Sequence, residues 1–226
     1  MRMRKKSNLD ERMDNLDGHL LIREPLDFYS LPQEKRYNLL DIPSVFGNRS
    51  PLWLELGAGK GKFAFETASE HPEINLIAVE KISNVIVEPC ERAIIENPSN
   101  LAFMNCAVEN LLYYLPEHCA DRIFLNFSCP YPKYTYRNRR LTYYRYLEIY
   151  KKLLTSDGVI RFKTDNRKFF EFSLQSFSEN GYKIKNVSLD LHADDYGDGI
   201  TTEYEDMFVS LGKPIYFLEA YFEAYL

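Results

Sequence analysis

From residue 51 onward, short apolar runs alternate with amphipathic stretches, and glycines, prolines and acids separate them. Leu52-Trp53-Leu54-Glu55-Leu56 stops at Gly57 and predicts a strand. Residues 76–79, 101–104, 122–127 and 159–162 repeat that form. Helical spacing of apolar positions falls between them, over 62–70, 82–97, 141–154 and 169–180, with Asp157-Gly158 and Gly181 as stops for the last two. Residues 111–115 make a short helix or turn closed by Pro116. Two further strands, around 182–191 and 215–222, lack a long helix between them and suggest an antiparallel hairpin at a sheet edge. The strands are continuous apolar runs rather than clean alternations, which implies burial on both faces. The pattern predicts an α/β fold: a mostly parallel seven-stranded sheet between two layers of helices. Residues 1–50 show no sustained period and are cut into pieces by Pro25, Pro32 and Pro43. They read as an arm packed on a main domain spanning 51–226, and the basic tip Arg2, Arg4, Lys5 and Lys6 as its frayed end.

Composition narrows the class. The chain has 226 residues, 45% hydrophobic and 27% charged, so one core can be buried without staples. No apolar run approaches the roughly 20 residues needed to span a bilayer, and no hydrophobic stretch follows the basic N-terminus, so neither a membrane protein nor a secretory signal is expected. The four cysteines, Cys90, Cys106, Cys119 and Cys129, and the four histidines are scattered. Neither a metal site nor a disulfide framework is expected, and a reducing, cytoplasmic setting is. The net charge of −5 hides segregation. Composition leaves monomer and homodimer equally open.

The segment Leu56-Gly57-Ala58-Gly59-Lys60-Gly61 is strand, glycine turn, then helix start. Glycines allow a tight turn and close approach of a ligand. The helix start offers free N–H groups and a positive dipole end to an anion. Dinucleotides favour Gly-x-Gly-x-x-Gly, and here the third glycine comes one residue early. Glu55 at the first strand's end suits an ammonium, and Glu80 at the second strand's end suits two ribose hydroxyls. Together with the turn they point to S-adenosylmethionine, against a purely structural turn. The ligand is expected beyond the C-terminal strand ends, where strand order reverses. Asn105 and Cys106, Ser128 to Pro130, and Lys163 to Asp165 follow the next three strands there.

Residues 131–152 hold seven basic residues, seven tyrosines and one acid, Glu148. Cations neutralise phosphates, and tyrosine stacks on splayed bases. RNA contact is expected over 133–140, including Arg137, Arg139 and Arg140; the tyrosines of 143–150 are expected to face the core.

Residues 125–133, Leu-Asn-Phe-Ser-Cys-Pro-Tyr-Pro-Lys, resemble the Asn-Phe-Ser-Asp-Pro-Trp-Pro-Lys signature of bacterial tRNA (guanine-N7)-methyltransferases. Arg139-Arg140-Leu141-Thr142, Phe162-Lys163-Thr164-Asp165-Asn166-Arg167 and Thr202-Glu203-Tyr204-Glu205 resemble three further blocks of that family. The resemblance covers nearly the whole chain. It implies a class I methyltransferase fold, S-adenosylmethionine as methyl donor, and tRNA as partner, methylated at N7 of a variable-loop guanosine. Carried over by position, Glu55, Gly57, Gly59, Glu80, Asn105, Cys106 and Cys129 would surround the donor. Lys133, Asp165, Thr202, Glu203, Tyr204 and Glu205 would bind the guanosine, and Cys129, Asp165 and Glu203 would stand at the reacting atoms. The arm of residues 1–50 would lie on or near the RNA face. Cys129 stands where the signature has aspartate, and Asn105 or Cys106 where a second family aspartate belongs. A catalytically weakened tRNA-binding homologue, or a methyltransferase for a small molecule or protein, are the competing readings. The acidic stretch Asp190, Asp194, Asp195 and Asp198, with Gly197 and Gly199, reads as a solvated loop able to place residues 202–205 over the base.

Overall fold

The computed structural model of the chain describes residues 5–16, 18–194, 196 and 199–222. Arg2 and Arg4 of the basic tip, and Asp195, Gly197 and Asp198 of the acidic stretch, lie outside them. Among the described residues one sheet contains β1 (Leu20–Arg23), β2 (Leu52–Leu56), β3 (Asn75–Val79), β4 (Leu101–Asn105), β5 (Ala120–Asn126), β6 (Leu154–Thr164), β7 (Lys183–Ser188) and β8 (Tyr216–Tyr221). Their order is β1-β4-β3-β2-β5-β6-β8-β7. All pairings are parallel except those of β8, which runs antiparallel to both β6 and β7. The helices are α1 (Leu9–Asp14), α2 (Ile42–Phe46), α3 (Lys62–Glu70), α4 (Ser83–Glu96), α5 (Tyr144–Leu153), α6 (Arg167–Glu179) and α7 (Glu203–Ser210). None is long and apolar enough to cross a membrane.

Strand periodicity divides the core in two. Leu52, Leu54 and Leu56 point to one face of the sheet, where they meet Leu147 and Tyr150 of α5 and Phe169 and Phe177 of α6. Trp53, Leu76, Ala78 and Phe103 point to the other, against Phe63 of α3 and Ile86 and Cys90 of α4. Every residue of β2, β3 and β4 is buried, as two helical layers require. After β4 the chain crosses back past β2 to β5, so strand order reverses between β2 and β5. That is where the glycine turn sits.

The sheet has eight strands where seven are expected. The additional one, β1, comes from the arm: Leu20 and Ile22 pair in parallel with Phe103 and Met104 of β4. Phe103 N donates to His19 O at 2.7 Å and Glu24 N to Asn105 O at 2.9 Å, so the arm satisfies an otherwise open strand edge. A four-residue strand in a Pro-rich stretch carries no periodic signal of its own. The arm's first helix, α1, packs on α4, where Arg12 forms a two-pronged ion pair with Glu91 at 2.7 Å. Three further departures are local. Helix α5 begins at Tyr144 rather than 141, because residues 141–143 form the turn that leads in. Asp157-Gly158 does not end that helix but lies inside β6, at a register shift where a side chain on Gly158 would strike Leu154. The eight-residue α7 interrupts the expected hairpin, capped by Thr202, whose Oγ1 accepts from Glu205 N at 3.0 Å.

Candidate active site

The C-terminal ends of β2, β3, β5 and β6 open onto two adjoining cavities of about 630 and 390 Å³. Gly57, Gly59, Phe127 and Tyr204 line both and mark their boundary. Gly57, Gly59 and Gly61 have φ of +87°, +59° and +83°, a region that disfavours side chains. At Gly61 a Cβ would also lie 2.9 Å from the Cβ of Pro89, so glycine sets how closely α3 approaches α4. The turn is pinned by Gly57 N and Ala58 N, which both donate to Val79 O, at 2.8 and 3.0 Å.

Glu55 is 2% exposed and reaches the smaller cavity. Its Oε1 accepts from Asn126 Nδ2 at 3.1 Å; its Oε2 is buried without a hydrogen-bond partner, as is Oδ1 of Asn126. Burial pushes the Glu55 carboxyl up to about 8, with the neighbouring Glu203 adding to the rise and Asn126 and Lys163 opposing it. An unpartnered buried oxygen costs free energy that a ligand donor recovers. Glu80 lines the larger cavity; Oε1 accepts from Ile82 N at 2.8 Å, and burial raises its carboxyl as well. The two carboxyls thus flank the glycine turn, one in each cavity, as expected for a ligand that carries an ammonium at one end and a ribose at the other. The residues fit S-adenosylmethionine.

Cys106 is buried in the wall of the larger cavity, and burial pushes its thiol up, so it is a neutral apolar surface. Asn105 differs from expectation. Its side chain turns away from both cavities, donating to Glu80 O at 2.9 Å and accepting from Ser83 Oγ at 2.8 Å. It braces the Glu80 loop rather than lining the site. Cys129 is exposed at the larger cavity, beside Ser128, whose buried Oγ has no partner. Phe127 and Tyr131, flanking this loop, adopt φ of +48° and +39°, strained values for side-chain-bearing residues.

Of the residues expected at the guanosine, Asp165 and Tyr204 line the larger cavity, while Thr202, Glu203 and Tyr204 line the smaller. Asp165 is held by Lys213 at 3.2 Å. Glu205 faces neither. It is 1% exposed and pairs with Lys163 at 3.3 Å and His192 at 3.0 Å, fastening α7 to β6. Lys133 is exposed and outside both cavities. Arg139 lines the larger cavity. Arg140 is spent inside the fold: it donates to Pro130 O at 2.8 Å and Tyr131 O at 3.1 Å, and stacks 4.4 Å over Phe172. Burial lowers its guanidinium's basicity. It shapes the signature loop.

Two contributors escaped the sequence reading. Asn126 orients Glu55, and its position at the end of the strand beside β2 was the available signal. Lys213 is placed by the fold alone. Acids and cations both line the cavities: Glu55 and Glu203 stand on the side where an ammonium is expected, while Lys81, Arg139 and Lys213 line the larger cavity with Glu80, Glu109 and Asp165.

A family model described as "Putative methyltransferase" matches residues 49–218. The tRNA (guanine-N(7)-)-methyltransferase of Clostridioides difficile (strain 630) is 40% identical over 220 residues, covering 97% of this chain and 98% of that protein. The protein of the same name from Bacillus cytotoxicus is 42% identical over 189 residues, covering 84% and 86%. Among solved structures, the 16S rRNA methyltransferase KamB is similar with a TM-score of 0.63 at 12% identity, over 83% of this chain and 95% of that one. An antibiotic-related methyltransferase gives 0.59 at 16% identity, over 80% and 91%. At such identities the likeness is one of fold, the class I methyltransferase architecture. Agreement with the sequence relatives along nearly the whole length shows that the chain belongs to the tRNA (guanine-N7)-methyltransferase family.

Proposed function

We propose that this protein methylates N7 of a guanosine in tRNA, in the variable loop, with S-adenosylmethionine as donor, in the cytoplasm. The observation that carries the reading is the buried Glu55 carboxyl, with one oxygen unpartnered, facing a cavity beside the glycine turn. Glu55 holds the donor's ammonium, Glu80 its ribose hydroxyls, and Cys106 with Val108 walls the adenine side. When bound, the donor supplies a methyl group on a cationic sulfonium centre. Guanine N7 has an exposed lone pair and no proton, so no residue of this chain need act as a base. Its residues position the purine and balance charge. Asp165 and Glu203 accept from guanine N1–H and N2–H and offset the positive charge that methylation leaves on the base. Tyr204, at the boundary of the cavities, offers a face against which the purine lies. Cys129 replaces a carboxylate and is a poor acceptor, so turnover is expected to be reduced rather than absent.

That same cysteine favours the second reading, a tRNA-binding homologue without activity. Incubation with labelled S-adenosylmethionine and unmodified tRNA transcript, followed by nucleoside analysis, separates the two. The proposal expects label in 7-methylguanosine; tRNA binding without label supports the second reading and defeats the first.

A further inference from the structure

Outside the two cavities, the other side of the signature loop carries an aromatic groove of about 340 Å³. Its size falls at the lower end of the roughly 300–1,000 Å³ typical of ligand pockets. Tyr134 and Arg137 come from the 3-10 turn over Tyr134–Arg139, Tyr143 and Tyr144 from the start of α5, and Phe172 and Gln175 from α6. Tyr134 is 73% exposed, and the Arg137 guanidinium lies 3.9 Å from its ring centre. Tyr144 is 53% exposed and meets Tyr143 at 4.8 Å. The rings of Tyr143 and Phe172 are parallel to within 6°. Tyr143 and Phe172 are partly buried against the core and form the groove floor, while Tyr134 and Tyr144 stand outside it; Tyr146 and Tyr150 of the same helix are buried. Exposed aromatic faces offer stacking surface to a flat ring, and the guanidinium beside them offers charge to an anion.

We propose that this groove binds a second, unpaired nucleotide of the tRNA, stacking its base on Tyr134 and Tyr144 and taking its phosphate at Arg137. The inference rests on the tRNA reading above. Charge supports it: of the seven cations in residues 131–152, Arg140 is held within the fold and Arg145, Lys151 and Lys152 pair with Glu109, Glu148 and Glu117, whereas Lys133, Arg137 and Arg139 have no carboxylate partner among the described residues. At the groove's far end Glu179 accepts from Gln175 at 2.6 Å, which directs the phosphate to the Arg137 side and leaves an acceptor for a base amine. The same 3-10 turn presents Arg139 to the larger cavity and Arg137 to the groove. Two residues span at most about 7 Å of backbone, so the turn separates neighbouring nucleotides, one entering the cavity and the next lying in the groove. Splaying adjacent bases to opposite sides of a basic turn would expose the N7 edge of the target.

The test uses the full chain and labelled, unmodified tRNA transcript, titrated at two salt concentrations. The Tyr134→Ala and Tyr144→Ala variants should each weaken tRNA binding roughly 5- to 100-fold, with an unchanged salt slope. The Tyr134→Phe and Tyr144→Phe variants, which keep the stacking face, should bind within about twofold of wild type. Arg137→Ala should instead flatten the salt dependence by about one phosphate contact. Calorimetry with S-adenosylhomocysteine should give wild-type affinity for all five, which shows them folded. Alanine variants that bind tRNA like wild type overturn the groove while leaving the methyltransferase reading intact. A wild-type protein that neither binds nor methylates tRNA overturns both.

Discussion

Replacing Glu55 by Gln removes a carboxyl that the fold keeps protonated up to about pH 8 while retaining its shape and its bond to Asn126. The ordinary value for this group is 4.5. Below that pH the carboxyl is protonated in folded and unfolded chains alike, and stability is unaffected. Between 4.5 and about 8 folding takes up a proton, so stability falls as pH rises. Above about 8 the folded chain holds a buried charge, and the loss is complete. At about 1.4 kcal/mol per pH unit, going from pH 5.5 to 8.5 costs wild type about 3 kcal/mol that the Gln variant does not lose. For a chain of this size that is roughly 6–12 °C in Tm. Glu203, Lys163 and Glu80 face Glu55 and are present in both proteins, so the difference between the two Tm curves reports the Glu55 carboxyl together with its coupling to them. Thermal unfolding of both proteins without ligand, at half-unit steps, is the measurement. S-adenosylhomocysteine carries the same ammonium as the donor. Wild type should bind it more tightly as pH rises, and the Gln variant roughly 10- to 100-fold more weakly with no such trend. Parallel Tm curves would refute the buried, proton-linked carboxyl; equal affinity of both proteins would refute its role as ammonium partner.

Other substitutions test other parts of the account. Cys129→Asp should raise kcat on tRNA about 10-fold or more, the worth of one charged hydrogen bond, and an unchanged rate would show that the carboxylate is dispensable here. Gly61→Ala should destabilise the chain by about 1–3 kcal/mol in urea unfolding, since φ is +83° and the new Cβ meets Pro89 at 2.9 Å; a neutral result would mean that α3 and α4 separate freely. Glu205→Gln leaves the Lys163 charge buried without its carboxylate and should cost about 3 kcal/mol. It should also lower kcat/KM for tRNA, because α7 carries Glu203 and Tyr204 into the cavities; full activity with unchanged stability would show that the buried pair fastens nothing the reaction needs.

What the sequence determined by itself is whatever local chemistry dictates. Apolar runs such as 52–56 and 76–79, four or five residues long and bounded by glycine or acid, read as strands buried on both faces, and the closely spaced glycines 57, 59 and 61 as a turn taking positive φ. Glutamates placed at two strand ends by that spacing were therefore legible as a pair. Only the tertiary structure decided the direction of side chains whose partners are distant along the chain. Asn126 meets Glu55 across 71 positions, and Lys163 meets Glu205 across 42. Asn105 ends its strand, and its amide is drawn to the Glu80 carbonyl, a bond no spacing rule discloses. Arg140 looked like a phosphate ligand by type, but two loop carbonyls and the Phe172 face claim it first. Strand β1 exists because β4 would otherwise leave its edge unpaired, a need belonging to the assembled sheet and not to the four residues that meet it. Periodicity and turn chemistry act within a few residues, whereas burial is settled only when distant segments compete for the same space.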